Sequence, residues 1–177
     1  MGRREKLVVY FVLPIWSALI LAGLLFYSSS SLKPFDPEGR LYSIANTSDF
    51  DLTFSAKISK ALGTSTKNMV VHMYDDFTCI CQLASSAHIA AVKSLVTDAG
   101  KSNVAVNMSD FPSLADIVPS VPSVAIFDGD GQLSYLGPYS TGIGCFTGNG
   151  TVEPYIDTTT TIGAVIPFDA NGCYCNL

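Results

Sequence analysis

From Leu7 to Leu32 the chain carries no charged residue, and Leu7 to Tyr27 is almost wholly apolar. About 20 apolar residues, rising about 1.5 Å each as a helix, cross a hydrocarbon core of about 30 Å. Arg3, Arg4 and Lys6 precede the run, and basic flanks stay on the cytoplasmic side. A cleaved signal peptide would show a shorter apolar region followed by small residues. Here the run ends in Phe26, Tyr27 and four serines, so an uncleaved anchor is expected. The expected layout is a cytoplasmic tail at 1–6, a transmembrane helix at 7–27, a polar tether at 28–47 and a folded domain at 48–177. That places a single-pass protein in a bacterial cytoplasmic (inner) membrane, with its C-terminal domain outside the cytoplasm.

Of the chain's ten Lys and Arg and fifteen Asp and Glu, only Arg3, Arg4, Lys6 and Glu5 lie before the run. The exported part is therefore acidic, which argues against nucleic acid as a partner. All five cysteines, Cys79, Cys81, Cys145, Cys173 and Cys175, lie beyond the run. Disulfides persist in that compartment. The odd count leaves at least one thiol free, metal-bound or paired with another molecule.

The apolar pattern alternates between helix and strand. Asp51 to Leu62 fits a helix stopped by Gly63. Met69 to Tyr74 (MVVHMY) reads as a buried strand, Leu83 to Ala99 as one helix, and Val104 to Met108 as a strand. Phe111 to Val118 reads as a connector. Ser123 to Phe127 and Gln132 to Leu136 read as a hairpin across Asp128-Gly129-Asp130-Gly131. A Gly-rich loop follows, and Glu153-Pro154 could open a last helix. This order predicts an α/β domain, a mixed sheet flanked by helices.

The segment MYDDFTCICQLASSAHI runs a strand into two cysteines and then a helix. A thiol at that junction faces free backbone N–H groups, which favour the thiolate. Further on comes Val121-Pro122-Ser123-Val124-Ala125-Ile126-Phe127 and a turn. Together these resemble the two signatures of the thioredoxin superfamily, Cys-x-x-Cys opening a helix and a cis-proline before a strand, over about residues 50–165. The resemblance implies a thioredoxin-like fold, a cis Val121–Pro122 bond beside the cysteines, and thiol–disulfide chemistry. The chain departs from the pattern in having Cys79-Ile80-Cys81. With Phe77 at the family's aromatic position, Thr78 takes the nucleophile position and Cys81 the resolving one, while His72 falls where many members keep a buried acid. Aligning Cys79 with the nucleophile loses the aromatic match. The chain also resembles a small bacterial family of unknown function, anchored and thioredoxin-like, with a Cys-x-Cys motif and a C-terminal cysteine pair.

On a regular helix, residues i and i+2 point about 200° apart. A Cys79–Cys81 disulfide therefore needs a non-helical first turn. Redox work and metal capture both remain open for the pair. Cys173 and Cys175 could staple the C-terminus to Cys145 or to each other, and Cys145 could reach the site from its loop. His72 is either a satisfied core histidine or a proton acceptor for the thiols. His88 reads as a solvated histidine, and Asp75 and Asp76 as solvated residues at a strand end.

The leading expectation is a membrane-anchored thiol–disulfide oxidoreductase acting on protein or small-molecule thiols and disulfides, without a cofactor. Its expected site residues are Cys79, Cys81, Pro122 and His72. The alternatives are a metal-binding, metallochaperone-like protein using Cys79, Cys81, Cys145, Cys173 and Cys175, and a non-catalytic interaction module.

Overall fold

A computed structural model describes residues 2, 8–30, 32–75, 79–142, 150–157 and 163–177. The chain divides into two units, Met1–Leu32 and Lys33–Leu177. In the first, a π-helical turn at Val8–Val12 leads into helix α1, Leu13–Ser30. Val9–Phe26 has a mean hydropathy of 2.3 and buries none of its residues. Such a helix, apolar on every side, suits a membrane anchor or a signal sequence.

The second unit is built outward from strand β2, Met69–Tyr74, whose first five residues are all buried. A strand hidden on both faces needs apolar side chains at odd and even positions alike. MVVHMY supplies them, with His72 as the one polar exception. Strand β3, Ser102–Asn107, pairs with β2 in parallel and forms one edge of the sheet. On the other side β2 pairs antiparallel with β5, Ser123–Phe127, and β5 with β6, Leu133–Pro138. The sheet order is β3-β2-β5-β6, a mixed four-stranded sheet of the α/β class.

Helix α3, Phe50–Leu62, covers one face with Phe50, Phe54 and Ile58, spaced four apart so that they share a side. Phe54 is fully buried and stacks between Phe50 and Phe127, with ring centroids at 5.7 and 6.4 Å. Gly63 ends the helix at φ +66°, a conformation glycine adopts without a Cβ penalty. The opposite face carries Val70, Val124, Ile126 and Tyr135, packed with Val92 and Val96. In the β5–β6 turn, Asp128 accepts bonds from the backbone N–H groups of Asp130 and Gln132, at 2.9 and 2.8 Å. Here the left-handed residue is Gly131, φ +83°, where an added Cβ would lie 2.9 Å from Thr66 Oγ1.

Three expectations change. The segment read as one helix from Leu83 to Ala99 is two: α4, Ile80–Ala84, and α5, Ser86–Asp98. Ser85 interrupts them with ψ near zero, a local break that a repeat of three and four cannot register. Glu153-Pro154 opens only a 3-10 turn, Glu153–Tyr155, flanked by the buried Val152 and Ile156. Part of the segment read as tether is built into the second unit. Strand β1, Lys33–Pro34, pairs with β7, Asn171–Gly172. Phe35 and, in helix α2 (Arg40–Ala45), Leu41 are fully buried. Two large apolar side chains among polar residues leave no periodic signal, yet they fill the core beside the C-terminal tail.

Replacing Phe54 with Ala is expected to destabilise the protein by about 3–5 kcal/mol. Chemical denaturation of the detergent-solubilised chain, followed by circular dichroism, measures this; a loss below about 1 kcal/mol would contradict the packing described.

Candidate functional site

At the C-terminal end of β2 the chain turns into α4 through Cys79. This residue is extended, φ −76° and ψ 101°, while its carbonyl accepts the first helical N–H groups from Gln82 and Leu83. Cys79 and Cys81 are therefore not two successive helical positions, and their sulfurs are not spread around a helix. Ile80 between them projects outward, 75% exposed. The C-terminal tail behaves in a matching way. Tyr174 points into the core, where its hydroxyl donates to the Ser140 carbonyl at 2.8 Å and its ring meets Phe35 edge-on. Its neighbours Cys173 and Cys175 reach the α4 turn instead.

Two disulfides result, Cys79–Cys175 and Cys81–Cys173, with Cα–Cα distances of 6.0 and 5.2 Å. This corrects the expected pairings: Cys79 is not bonded to Cys81, and Cys173 and Cys175 bond neither to each other nor to Cys145. Cys145 lies outside the described residues, as do Asp76, Phe77 and Thr78. Strand β8, Cys175–Asn176, pairs with β4, Ser120–Val121, placing Cys175 opposite Val121. The Val121–Pro122 bond is cis, the isomer expected here. Cys79 Sγ lies 3.9 Å from the Val121 carbonyl oxygen. The α4 turn, the cis-proline bend and the C-terminal tail thus meet at one place. Cys81 is buried, while Cys79, Cys173 and Cys175 are partly exposed.

Beside Pro122 opens a cavity of about 320 Å³, lined among others by His72, Gln82, Lys93, Pro122 and Tyr139. His72 Nε2 is 2.7 Å from Asn103 Oδ1, an acceptor, and Nδ1 is 2.6 Å from the Tyr139 hydroxyl. This arrangement fits a neutral ring that donates from Nε2 and accepts from Tyr139 at Nδ1. Asn103 is held in turn by its amide donating to the Lys93 carbonyl and Thr97 Oγ1. Burial is the main force lowering the His72 pKa from 6.5 to about 4, and Lys93 adds to it against the opposing Asn103 bond. Burial also raises the Tyr139 pKa. Gln82 Oε1 is buried without a hydrogen-bond partner among the described residues.

Residues 48–177 match the model of a domain of unknown function, DUF6436. The chain belongs to that family. No curated protein and no solved structure matches it.

In this DUF6436 chain, tertiary structure places Cys79 and Cys81 near the Val121–Pro122 bend and brings Cys173 and Cys175 to them. His72 lines the neighbouring cavity. His88 is a correction: expected in solvent, it is 4% exposed, with Nε2 2.7 Å from Glu153 Oε1 and its ring edge-on to Tyr139. Asp75 accepts a bond from Ser109 Oγ at 2.6 Å. Tyr139, Asn103 and Gln82 were missed. A lone Tyr, Asn or Gln carries no motif, and only the buried His72, in a strand otherwise apolar, hinted that polar partners must exist.

The two disulfides are nested, and this sets their energetics. The outer bridge closes a loop of 96 residues, worth about 4.7 kcal/mol of denatured-state entropy. Once either bridge exists, the other closes a ring of only a few residues, worth about 2 kcal/mol. Cys173→Ser or Cys175→Ser alone should therefore cost about 2 kcal/mol, and both together about 5–7 kcal/mol, a strongly non-additive result. Urea denaturation without reductant checks the energies. Alkylation with peptide mapping checks the pairing: Cys175→Ser must newly label Cys79, and new label on Cys81 instead would overturn it.

The low His72 pKa also has a sign. Between about pH 6.5 and pH 4, the unfolded chain binds a proton at this residue that the folded chain refuses. Stability is thus lost as pH falls through that window, by up to about 3 kcal/mol. The stability–pH profile of His72→Gln should be flatter across it; a profile parallel to that of the unaltered protein would show that His72 is not held neutral.

Proposed function

We propose that this chain is a membrane-anchored thiol–disulfide exchange protein whose second unit is a thioredoxin-like domain facing outside the cytoplasm. The observation that carries the reading is a partly exposed disulfide, Cys79–Cys175, lying against the cis Val121–Pro122 bend at the end of β2. The sheet supports it: parallel β2 and β3 joined through helices, followed by an antiparallel β5–β6 hairpin that starts directly after the cis-proline. The apolar helix α1 serves as the uncleaved anchor, with residues 1–6 on the cytoplasmic side.

The chemistry is a two-electron exchange. A thiolate of an exported dithiol attacks one sulfur of Cys79–Cys175, forming a mixed disulfide and releasing the other sulfur as a thiolate. The second thiol of the substrate, once deprotonated, displaces the protein sulfur and becomes part of the substrate disulfide. Two electrons and two protons pass from the substrate to Cys79 and Cys175, and the reverse steps reduce a substrate disulfide. Cys81–Cys173 keeps the tail in place meanwhile. Exposed Ile80 and Leu83, both 75% accessible and one helical turn apart, offer an apolar rim suited to an unfolded polypeptide. Pro122 shapes the groove. Both His72 nitrogens are engaged, so His72 is a positioning residue and not the proton acceptor.

Equilibrating the detergent-solubilised chain in glutathione buffers of graded potential, then alkylating and weighing it, tests the proposal. Cys79 and Cys175 should become free together before Cys81 and Cys173, and Cys175→Ser should accumulate a mixed disulfide with glutathione at Cys79. Two bridges that stay closed at all physiological potentials would reduce them to structural staples.

A further inference from the structure

We infer that, once reduced, Cys79, Cys81, Cys173 and Cys175 form a four-thiolate site for one soft metal ion, so that metal and disulfides exclude each other. The inference uses the same sulfurs as the exchange reading but does not depend on catalysis by them. Two Cys-x-Cys pairs more than 90 residues apart are brought to one place, 96 residues separating the outer pair and 92 the inner. The Sγ atoms of Cys79, Cys81 and Cys175 lie within 4.8 Å of one another, and Cys173 is bonded to Cys81. A tetrahedral zinc–thiolate site has metal–sulfur bonds of about 2.3 Å, hence sulfur–sulfur edges of about 3.8 Å. The unbonded sulfurs of Cys79 and Cys81, and of Cys81 and Cys175, are therefore already near the spacing required. The bonded pairs must part by about 1.7 Å to reach that edge.

That separation is a shift of under about 2 Å between the tail and the α4 turn. The tail is held by two-residue strands, β7 against β1 and β8 against β4, and by the buried Tyr174. The donor set decides the class of ion. Three sulfurs and no carboxylate make up the cluster among the described residues, and the fourth, on Cys173, is bonded to one of them; such a donor set selects zinc or copper(I) over magnesium or calcium. The short linkages also make sense in these terms. The extended Cys79 and the inward Tyr174 turn both sulfurs of each pair to the same side, as a chelating pair must do.

The balance of the step is explicit. Two molecules of a small dithiol, each oxidised to its disulfide, supply four electrons and four protons and open both bridges to four thiols. Binding the ion then displaces the thiol protons, so affinity must fall as pH falls. Two molecules of a small-molecule disulfide, each reduced to its dithiol by two of those electrons and two protons from water, oxidise the four thiolates back to two disulfides and release the ion.

The test uses the full chain in detergent, reduced by a phosphine, freed of it anaerobically and titrated with cobalt(II) and then zinc(II). One ion per chain is expected, with a sulfur-to-cobalt charge-transfer band that zinc abolishes. Zinc should protect Cys79, Cys81, Cys173 and Cys175 together from alkylation. Cys173→Ser should weaken binding more than about 100-fold, while Cys145→Ser leaves it unchanged. The untreated, disulfide-bonded chain should bind no ion. Alkylation of any of the four in the presence of zinc, equal loss in Cys145→Ser, or no band at all would overturn the inference. Because the phosphine opens the bridges whatever their potential, a chain that fails to cycle in glutathione can still pass here, and the converse also holds.

Discussion

The C-terminal tail is tied twice, through adjacent residues, to the turn where β2 becomes helix α4, and much of the second unit depends on that clamp. Cys173 and Cys175 bond to Cys81 and Cys79, and Tyr174 between them fills the core against Phe35. The tail in turn holds the entry segment of the unit and the bend before the cis-proline. Asn171–Gly172 pairs with Lys33–Pro34, and Cys175–Asn176 with Ser120–Val121. The Ser120 hydroxyl, donating to the Phe35 carbonyl at 2.7 Å, ties those two contacts together. Releasing the tail would remove partners from the entry segment and from the bend that carries the cis-proline.

Nesting gives this clamp an uneven character. Either bridge alone supplies most of the loop-closure stabilisation, and the second adds the small remainder. One bridge can then open for chemistry while the fold stays closed, provided the other stays intact. Cys81 is buried, whereas Cys79, Cys173 and Cys175 are partly exposed. Under the proposed exchange, a single disulfide would release the tail at each turnover.

On the other face of the sheet, polar groups are buried at a cost that hydrogen bonds offset. His72 is kept neutral by burial and satisfied by Asn103 and Tyr139. Tyr139 lies against both His72 and His88, and His88 meets Glu153. Such a network, in a medium of low effective dielectric, rigidifies what it joins. It connects β2, β3, α5 and the segment after β6 beneath the cavity that borders Pro122, so the wall next to the cysteines is well defined.

What the sequence determined by itself is what depends on neighbours along the chain. The uncharged run specifies an apolar helix because backbone and side chains together must avoid water over that length. MVVHMY and SVAIF specify strands buried on both faces, and Gly63 specifies where α3 stops, because each is a local demand of geometry or solvation. Cys79, Cys81 and Pro122 were singled out by their resemblance to the thioredoxin signatures, and the structure brings Cys79 against the Val121–Pro122 bend. Tertiary structure alone decided the rest. Which sulfur meets which depends on bringing residues more than 90 positions apart to one place, and five cysteines admit many pairings that spacing cannot rank. The burial of Phe35, the partners of His72 and the withdrawal of His88 from solvent likewise follow from which surfaces the sheet and tail bring into contact. Those contacts are non-local, and so no pattern along the chain records them.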